Sequence, residues 1–118
     1  MAKPIKTIDY DENSDILFIS NGEKVKASID IGDFVLDVSH ENLVCSIEIM
    51  DASENLGIDK NILKNIKSMK MSVNYKTNHV YVLLMIIFKK EDKKVNVQIP
   101  LTLDLGHKTP RQEVLVYN

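Results

Sequence analysis

The sequence VYVLLMIIF, residues 80–88, is an unbroken apolar run of nine residues on which the interpretation of the fold depends. It is too short for a membrane-spanning helix, which needs about 20 apolar residues. A strand with one face in water would alternate apolar and polar side chains, so the unbroken run predicts a strand covered on both faces. A helix can cover one face, and the other face requires a second sheet, a curled sheet or a partner subunit.

Alternating apolar and polar residues before this run predict further strands. Residues 6–20 read as a hairpin with an acidic turn at residues 11–15, because Asp, Asn and Ser bond to their own backbone and favour turns. Residues 24–31 form a third strand. Residues 34–50 form two more around a turn in which Asn42 takes a positive φ, a conformation that asparagine tolerates well.

The alternation stops after Met50, where a helical segment is predicted. Asp51 and Glu54 have the three-residue spacing of a capping box. A second start at Asp59 leads into NILKNIKSMK, residues 61–70, where apolar residues recur at helical spacing. We therefore expect one short amphipathic helix whose lysines face solvent.

The remainder of the chain returns to β structure. Strands are predicted up to Tyr75, over residues 80–88 and up to Leu105, with a charged turn at residues 89–94. The β-prone residues 114–117 form an arm that could pair with its own sheet edge or with that of a neighbour.

Together these patterns predict a single α+β domain over residues 1–118, built on a mainly antiparallel, curled β-sheet of about seven or eight strands with one short amphipathic helix. Residues 8–53 form a first β half and residues 54–70 a helical segment. Residues 71–105 form a second β half, and residues 106–118 form the C-terminal arm.

Composition excludes several classes of function. The formal net charge is -2 and both signs are interspersed along the chain, which lacks the basic footprint of a nucleic-acid-binding protein. The single cysteine, Cys45, cannot form an internal disulfide, as is typical of a reducing compartment. The N-terminal residues show no signal-peptide pattern. We therefore expect a cytoplasmic protein that binds neither nucleic acid nor membrane.

Acidic residues supply the sharpest hypothesis for a chemical site. Six carboxylates could converge at one end of the sheet as a divalent-metal or general acid/base site: Asp9, Asp11, Asp15, Asp37, Glu48 and Asp51. Of these, Asp11, Asp15 and Asp51 are the candidate site residues. The competing interpretation is structural, since Asp11 and Asp15 suit turn positions and Asp51 suits a helix cap.

Other motifs favour no catalytic or metal-binding role. His40, His79 and His107 lack the spacing of a zinc site. Cys45 falls on the predicted inward face of its strand, which favours an inert core thiol over a nucleophile. The sequence contains no Gly-rich phosphate loop and no nucleophile elbow. We therefore expect no cofactor and no bound metal, and the sequence favours a non-enzymatic role over an enzymatic one.

The apolar strand surface favours an interaction role instead. We expect a homo-oligomer, as a dimer, that associates through the apolar run or the C-terminal arm. The candidate interface residues are Val80, Val82, Leu84, Ile86, Phe88, Val114 and Val116. The leading hypothesis is a non-enzymatic module that binds a small protein partner, and the alternative is a metal-assisted hydrolase or small-ligand-binding protein that uses the acidic cluster.

The first half also resembles a family of small, uncharacterised prokaryotic β-rich domains. YDENSDILFI, residues 10–19, is similar to that family's Tyr-Asp-x-x-x-Asp-x-Leu-aromatic-Ile opening. IEIMDAS, residues 47–53, is similar to its Ile-Glu-Ile-Leu-Asp-Ala-Ser ending. The resemblance covers residues 8–53 and departs from the family where Asn42 replaces a usual glycine. It implies a compact β-rich fold, and the occurrence of some members beside small toxin-like proteins implies an antitoxin-like role.

Overall fold

The structure, a computed structural model, describes residues 2–77, 79–89, 94–101, 105 and 110–117. The described elements, in chain order, are β1 (Lys3–Pro4), β2 (Thr7–Asp11), β3 (Ile16–Ser20), β4 (Val25–Ile31), β5 (Phe34–Ser39), β6 (Val44–Ile49), α1 (Ala52–Leu56), α2 (Lys60–Leu63), β7 (Ile66–Lys76), β8 (His79–Phe88), β9 (Lys94–Leu101) and β10 (Arg111–Tyr117). None of the described helices has the length and apolar character to cross a membrane.

The strands form two sheets rather than the single sheet of seven or eight strands that the sequence predicts. Sheet 1 has the order β2-β3-β6-β5-β4, and sheet 2 has the order β1-β10-β7-β8-β9. Neighbouring strands are antiparallel except for β1 and β10, which are parallel. The first β half thus forms one complete sheet, and the C-terminal arm pairs with its own chain inside the other.

The core lies between the two sheets and explains the apolar run of β8. Its alternate residues Val80, Val82 and Leu84 are at most 1% exposed and pack in one cluster with residues of sheet 1 such as Leu36 and Ile47. Sheet 1 therefore covers one face of β8. The intervening side chains on the other face, such as Leu83, are half-buried.

The short helices connect the sheets and close one end of the core. Leu56 in α1 and Leu63 in α2 are buried in the same cluster as the strand residues. At a sheet edge, the Ile5 N–H donates to the Val116 carbonyl oxygen at 2.7 Å and the Lys6 N–H donates to that of Ser20 at 2.9 Å. Two consecutive residues therefore tie sheet 2 to sheet 1.

The prediction of an amphipathic helix running to residue 70 is wrong, because helix α2 ends at Leu63 and strand β7 begins at Ile66. The register of β7 against β8 shifts between Ile66 and Ser68, which marks a β-bulge. The extra residue of the bulge places the apolar residues Ile66 and Met69 three positions apart instead of two, which is a spacing found on helices. The chain has two short helices among its described residues, not one.

Candidate functional site

Asp15 joins the first hairpin to the start of helix α1. Its Oδ1 accepts hydrogen bonds from the Tyr10 hydroxyl at 2.6 Å and the Ser53 N–H at 3.0 Å, and its Oδ2 accepts one from the Ser53 hydroxyl at 2.6 Å. Its backbone carbonyl accepts the Ala52 N–H at 2.9 Å. We call this arrangement of Tyr10, Asp15, Ala52 and Ser53 the Asp15 clasp. It satisfies two of the free N–H groups at the beginning of α1 from a residue 38 positions away.

The electrostatics of the clasp favour an ionised Asp15. Partial burial opposes ionisation, but the hydrogen bonds from Ser53 and Tyr10, with the positive charge of Lys60, hold the pKa of Asp15 below its ordinary value. Desolvation, followed by the hydrogen bond to Asp15, raises the pKa of Tyr10. The pair is therefore a neutral phenol that donates to a carboxylate, which is a strong, charge-assisted hydrogen bond.

The other two candidate site residues take structural positions. Asp11 Oδ1 accepts the N–H groups of Asn13 and Ser14, at 3.0 and 3.4 Å, and so stabilises the hairpin turn. Asp51 lies in the left-handed region, with φ 48°, and its exposed side chain makes no capping hydrogen bond. The predicted capping box of Asp51 and Glu54 is therefore wrong, because Asp15 supplies the cap instead.

Of the six candidate carboxylates, Asp11, Asp15 and Asp51 lie at the same end of sheet 1, whereas Asp9, Asp37 and Glu48 lie within its strands. Among the described residues, no group of three His, Cys, Asp or Glu side chains is arranged to hold a metal ion. A shallow concavity of about 560 Å³ lies beside the clasp, lined among others by Glu12, Glu54, Asp59 and Lys60. Its lining mixes both signs of charge.

The remaining sequence candidates have separate environments. His40 is exposed and His79 half-buried, whereas His107 lies outside the described residues. Cys45 is 1% exposed, as predicted, and its thiol donates to the Asp37 carbonyl oxygen at 3.3 Å. Burial, with the negative charge of Asp37, raises the pKa of the Cys45 thiol, and a thiol that stays protonated is a poor nucleophile.

The candidate interface residues divide between the core and the surface. Five of them are buried between the sheets: Val80, Val82, Leu84, Ile86 and Phe88. Sheet 1 of the same chain already occupies this face of β8. Val114 and Val116 instead point to the opposite side of sheet 2 and are half-buried.

The outer face of sheet 2 combines apolar and basic side chains. Strand pairing places Val116, Lys70, Met85 and Asn96 in one row across the sheet, and Val114, Ser72, Leu83 and Gln98 in the next. Tyr81 and Ile87 extend the half-buried apolar surface along β8, and the exposed Lys76 and Lys94 lie toward its ends. In its described residues this face carries no carboxylate.

The outer face of sheet 1 has the opposite charge. Strand pairing places Asp9, Phe18, Glu48, Val35 and Asp30 in one row, so acidic and apolar side chains alternate across five strands. In the adjacent row, the Asp37 carboxylate accepts hydrogen bonds from the Ser28 hydroxyl, at 2.6 Å, and from the Ser46 hydroxyl. Asp9, Asp37 and Glu48, predicted as members of one metal site, therefore share a face without forming a cluster that could hold a metal ion.

This segregation of charge is a feature that the sequence reasoning missed. Residues 1–53 contain eleven acidic and four basic residues, whereas residues 54–118 contain six acidic and eleven basic residues. Residues 1–53 supply all of sheet 1, and residues 54–118 supply every strand of sheet 2 except β1, so the difference becomes an electric asymmetry between the two sheets. Counting charge separately for each half would have found it, whereas the interspersed signs along the whole chain conceal it.

The fold is that of a small two-sheet β-sandwich whose first hairpin is fastened by the Asp15 clasp. The family model described as "Protein of unknown function (DUF2283)" matches residues 7–53, which contain sheet 1 and the whole clasp. The chain belongs to this family. The motifs that carry the resemblance contain Tyr10, Asp15, Ala52 and Ser53, so in this chain they hold the hairpin against the helix.

Two archaeal relatives extend the comparison. A Methanosarcina mazei protein, provisionally named a hypoxanthine phosphoribosyltransferase, is 30% identical over 89 residues, which are 75% of this chain and 72% of that protein. An uncharacterized protein of Methanocaldococcus jannaschii is 39% identical over 61 residues, which are 50% of this chain and 53% of that protein. No solved structure matches.

Proposed function

We propose that this protein is a non-enzymatic protein-interaction module and that the outer face of sheet 2 is its docking surface. The observation that carries the proposal is the composition of that face, in which half-buried Leu83, Met85 and Val114 lie among exposed lysines. Apolar surface rimmed by polar residues is characteristic of protein-binding sites.

The charge of this face specifies the partner's chemistry. Lys70, Lys76 and Lys94 are exposed, and the described residues of the face carry no opposing carboxylate. Complementary potential favours a partner with acidic residues around an apolar centre. A small toxin-like protein of that character fits the antitoxin-like role implied by the family resemblance, and the reduced Cys45 is consistent with the cytoplasm.

The test is affinity purification of tagged protein from its native cells, with gentle elution and mass spectrometry. Wild type should retain a stoichiometric partner protein of different sequence that a Met85→Glu variant loses. Val35→Glu places the same charge at a half-buried position on the outer face of sheet 1, and it should retain the partner. Loss of the partner from both variants, or from neither, would contradict the assignment of the face, as would a wild-type protein recovered alone and monomeric.

The metal-assisted hydrolase remains an alternative with less support. Asp15 is engaged by three hydrogen bonds from protein groups, and Asp11 is engaged in its turn. Protein donors therefore already use most of the acceptor capacity of the Asp15 carboxylate, which leaves little of it for a cation. Calorimetric titration with magnesium, calcium and manganese decides the matter: heat that is absent in Asp15→Asn would favour the alternative over the interaction role.

The name of the Methanosarcina relative raises phosphoribosyl transfer to hypoxanthine as a further activity to assay. No arrangement of the described residues favours it over the interaction role. Formation of inosine monophosphate from hypoxanthine and phosphoribosyl pyrophosphate by purified protein would overturn the non-enzymatic proposal.

A further inference from the structure

We infer that a second copy of this chain is an acidic partner of the docking surface, bound head to tail with the outer face of sheet 1 on the outer face of sheet 2. The inference rests on the proposed function, because it names the occupant of the same surface. It adds a role for the outer face of sheet 1, which the proposed function leaves unused.

Charge complementarity is the first argument. Asp9, Asp11 and Asp30 are exposed on the outer face of sheet 1, whereas Lys70 and Lys94 are exposed on the outer face of sheet 2. The two faces belong to opposite sheets of one molecule, so a single copy cannot pair them with each other. Two copies can, and the attraction acts over about a Debye length, roughly 10 Å at moderate salt.

The apolar side chains of the two faces are the second argument. Phe18 and Val35 are half-buried in the acidic row, separated from each other by Glu48 of the intervening strand. On the basic face, Met85 lies beside Lys70 and Leu83 occupies the next row. Each face therefore offers apolar groups with charges close by, and both have the strand spacing of about 4.8 Å that any sheet has.

Like charges oppose the symmetric alternatives. A two-fold dimer through the outer face of sheet 2 would bring the lysines of one copy near those of the other, and one through sheet 1 would do the same with Asp9 and Asp30. Such juxtaposition is costly at an interface. A heterologous contact avoids it, and it builds a ring when the rotation closes or an open chain when it does not.

The test is sedimentation velocity of wild type and two charge-reversed proteins. Lys70→Glu/Lys94→Glu makes the outer face of sheet 2 acidic like that of sheet 1, and Asp9→Lys/Asp30→Lys turns the row of Asp9, Glu48 and Asp30 on sheet 1 from acidic to net basic. All four positions are exposed, so both proteins should keep the thermal midpoint of wild type. Lys24→Glu, in the exposed loop before β4, is the control for an unrelated charge change.

At about 20 mM NaCl, wild type and the Lys24→Glu control should associate, with an average mass of at least about twice the chain mass. At about 0.5 M NaCl, both proteins should dissociate toward the chain mass of 13.4 kDa. Each charge-reversed protein alone should remain at the chain mass. Their equimolar mixture should associate again, because the unchanged acidic outer face of sheet 1 in the first protein meets the unchanged basic outer face of sheet 2 in the second. Restoration by mixing cannot come from misfolding.

Two results would overturn the inference. One is a wild type that stays at the chain mass at every salt concentration, and the other is an associating wild type whose reversed variants still associate alone or fail to associate on mixing. Either result leaves the docking surface to be judged by the Met85→Glu purification. If the Met85→Glu variant loses a partner protein of different sequence, the proposed function stands and only the inference of a second copy as partner fails. If the variant loses no partner, both the proposed function and the inference fail.

Discussion

Replacement of Asp15 by Asn should destabilise the protein by removing the charge at the centre of the clasp. The carboxylate accepts three hydrogen bonds, from the Tyr10 hydroxyl, the Ser53 hydroxyl and the Ser53 N–H. Asparagine keeps the size of the side chain and tolerates the left-handed backbone, where Asp15 has φ 56°. The change therefore tests the charge and the acceptor geometry with little backbone strain.

The magnitude follows from the bonds that change. Hydrogen bonds to a charged group contribute about 1.5–3 kcal/mol each, compared with about 0.5–1.5 kcal/mol for neutral pairs. Asp15→Asn weakens three hydrogen bonds, but the hydroxyl groups can reorient toward the amide. We therefore expect it to lower the free energy of unfolding by about 2 kcal/mol. Asp15→Ala loses all three bonds and adds backbone strain, and should cost about 3–5 kcal/mol, a large share of the stability of a typical domain.

Urea unfolding followed by circular dichroism measures these differences. Asp51→Asn is the matched control, because Asp51 has a similar left-handed backbone, with φ 48°, but makes no capping hydrogen bond. It should leave the unfolding midpoint unchanged. In a double-mutant cycle, Asp15→Asn and Tyr10→Phe should cost less together than the sum of their separate effects, because they break one shared hydrogen bond. Equal midpoints for Asp15→Asn and Asp51→Asn, or strict additivity in the cycle, would refute the clasp.

Three further changes test the core and the clasp by the same assay. Because the folded-state pKa of Asp15 lies below the ordinary 3.8, its contribution is complete above that pH and is lost as the pH falls through the lowered value. The difference in unfolding free energy between wild type and Asp15→Asn should therefore shrink between about pH 5 and pH 2, and a constant difference would contradict this. Tyr75→Phe should cost about 1–3 kcal/mol, because the buried Tyr75 oxygen accepts the Val44 N–H at 2.7 Å; an unchanged midpoint would contradict that role. Ala52→Leu should cost about 1–3 kcal/mol because Ala52 is 0% exposed, whereas Ala27→Leu at an exposed position should be tolerated; equal effects would contradict the packing.

Features that depend on a few neighbouring residues could be predicted from the sequence. Asn42 has the expected positive φ, at 62°, and Asp11 stabilises the predicted hairpin turn through its own carboxylate. The strand after residue 24 runs over Val25–Ile31, close to its predicted bounds. These features follow from local hydrogen bonding and from a period of two residues, which any strand shows whatever its partner.

Features that depend on distant residues could not be predicted in this way. The Asp15 clasp joins positions 38 residues apart, so Asp51 was the natural local choice for a helix cap. The bulge at the start of β7 gave a strand the spacing of a helix. The apolar run of β8 indicates that the faces of the strand are covered. Burial by sheet 1 and burial by a partner subunit would give the same sequence pattern, and only the pairing of the strands distinguishes the two.

The outer face of sheet 2 is tested most directly by the methionine-methyl NMR spectrum of the intact protein. Met85 lies on that face and is half-buried, whereas Met69 and Met71, 2% and 0% exposed, lie in the core of the same sheet and serve as internal references. As protein concentration rises at low salt, the Met85 signal should shift while those of Met69 and Met71 stay in place, and high salt should abolish the shift. A Met85 signal that stays fixed while sedimentation shows the protein associating would place the interface elsewhere and contradict the account.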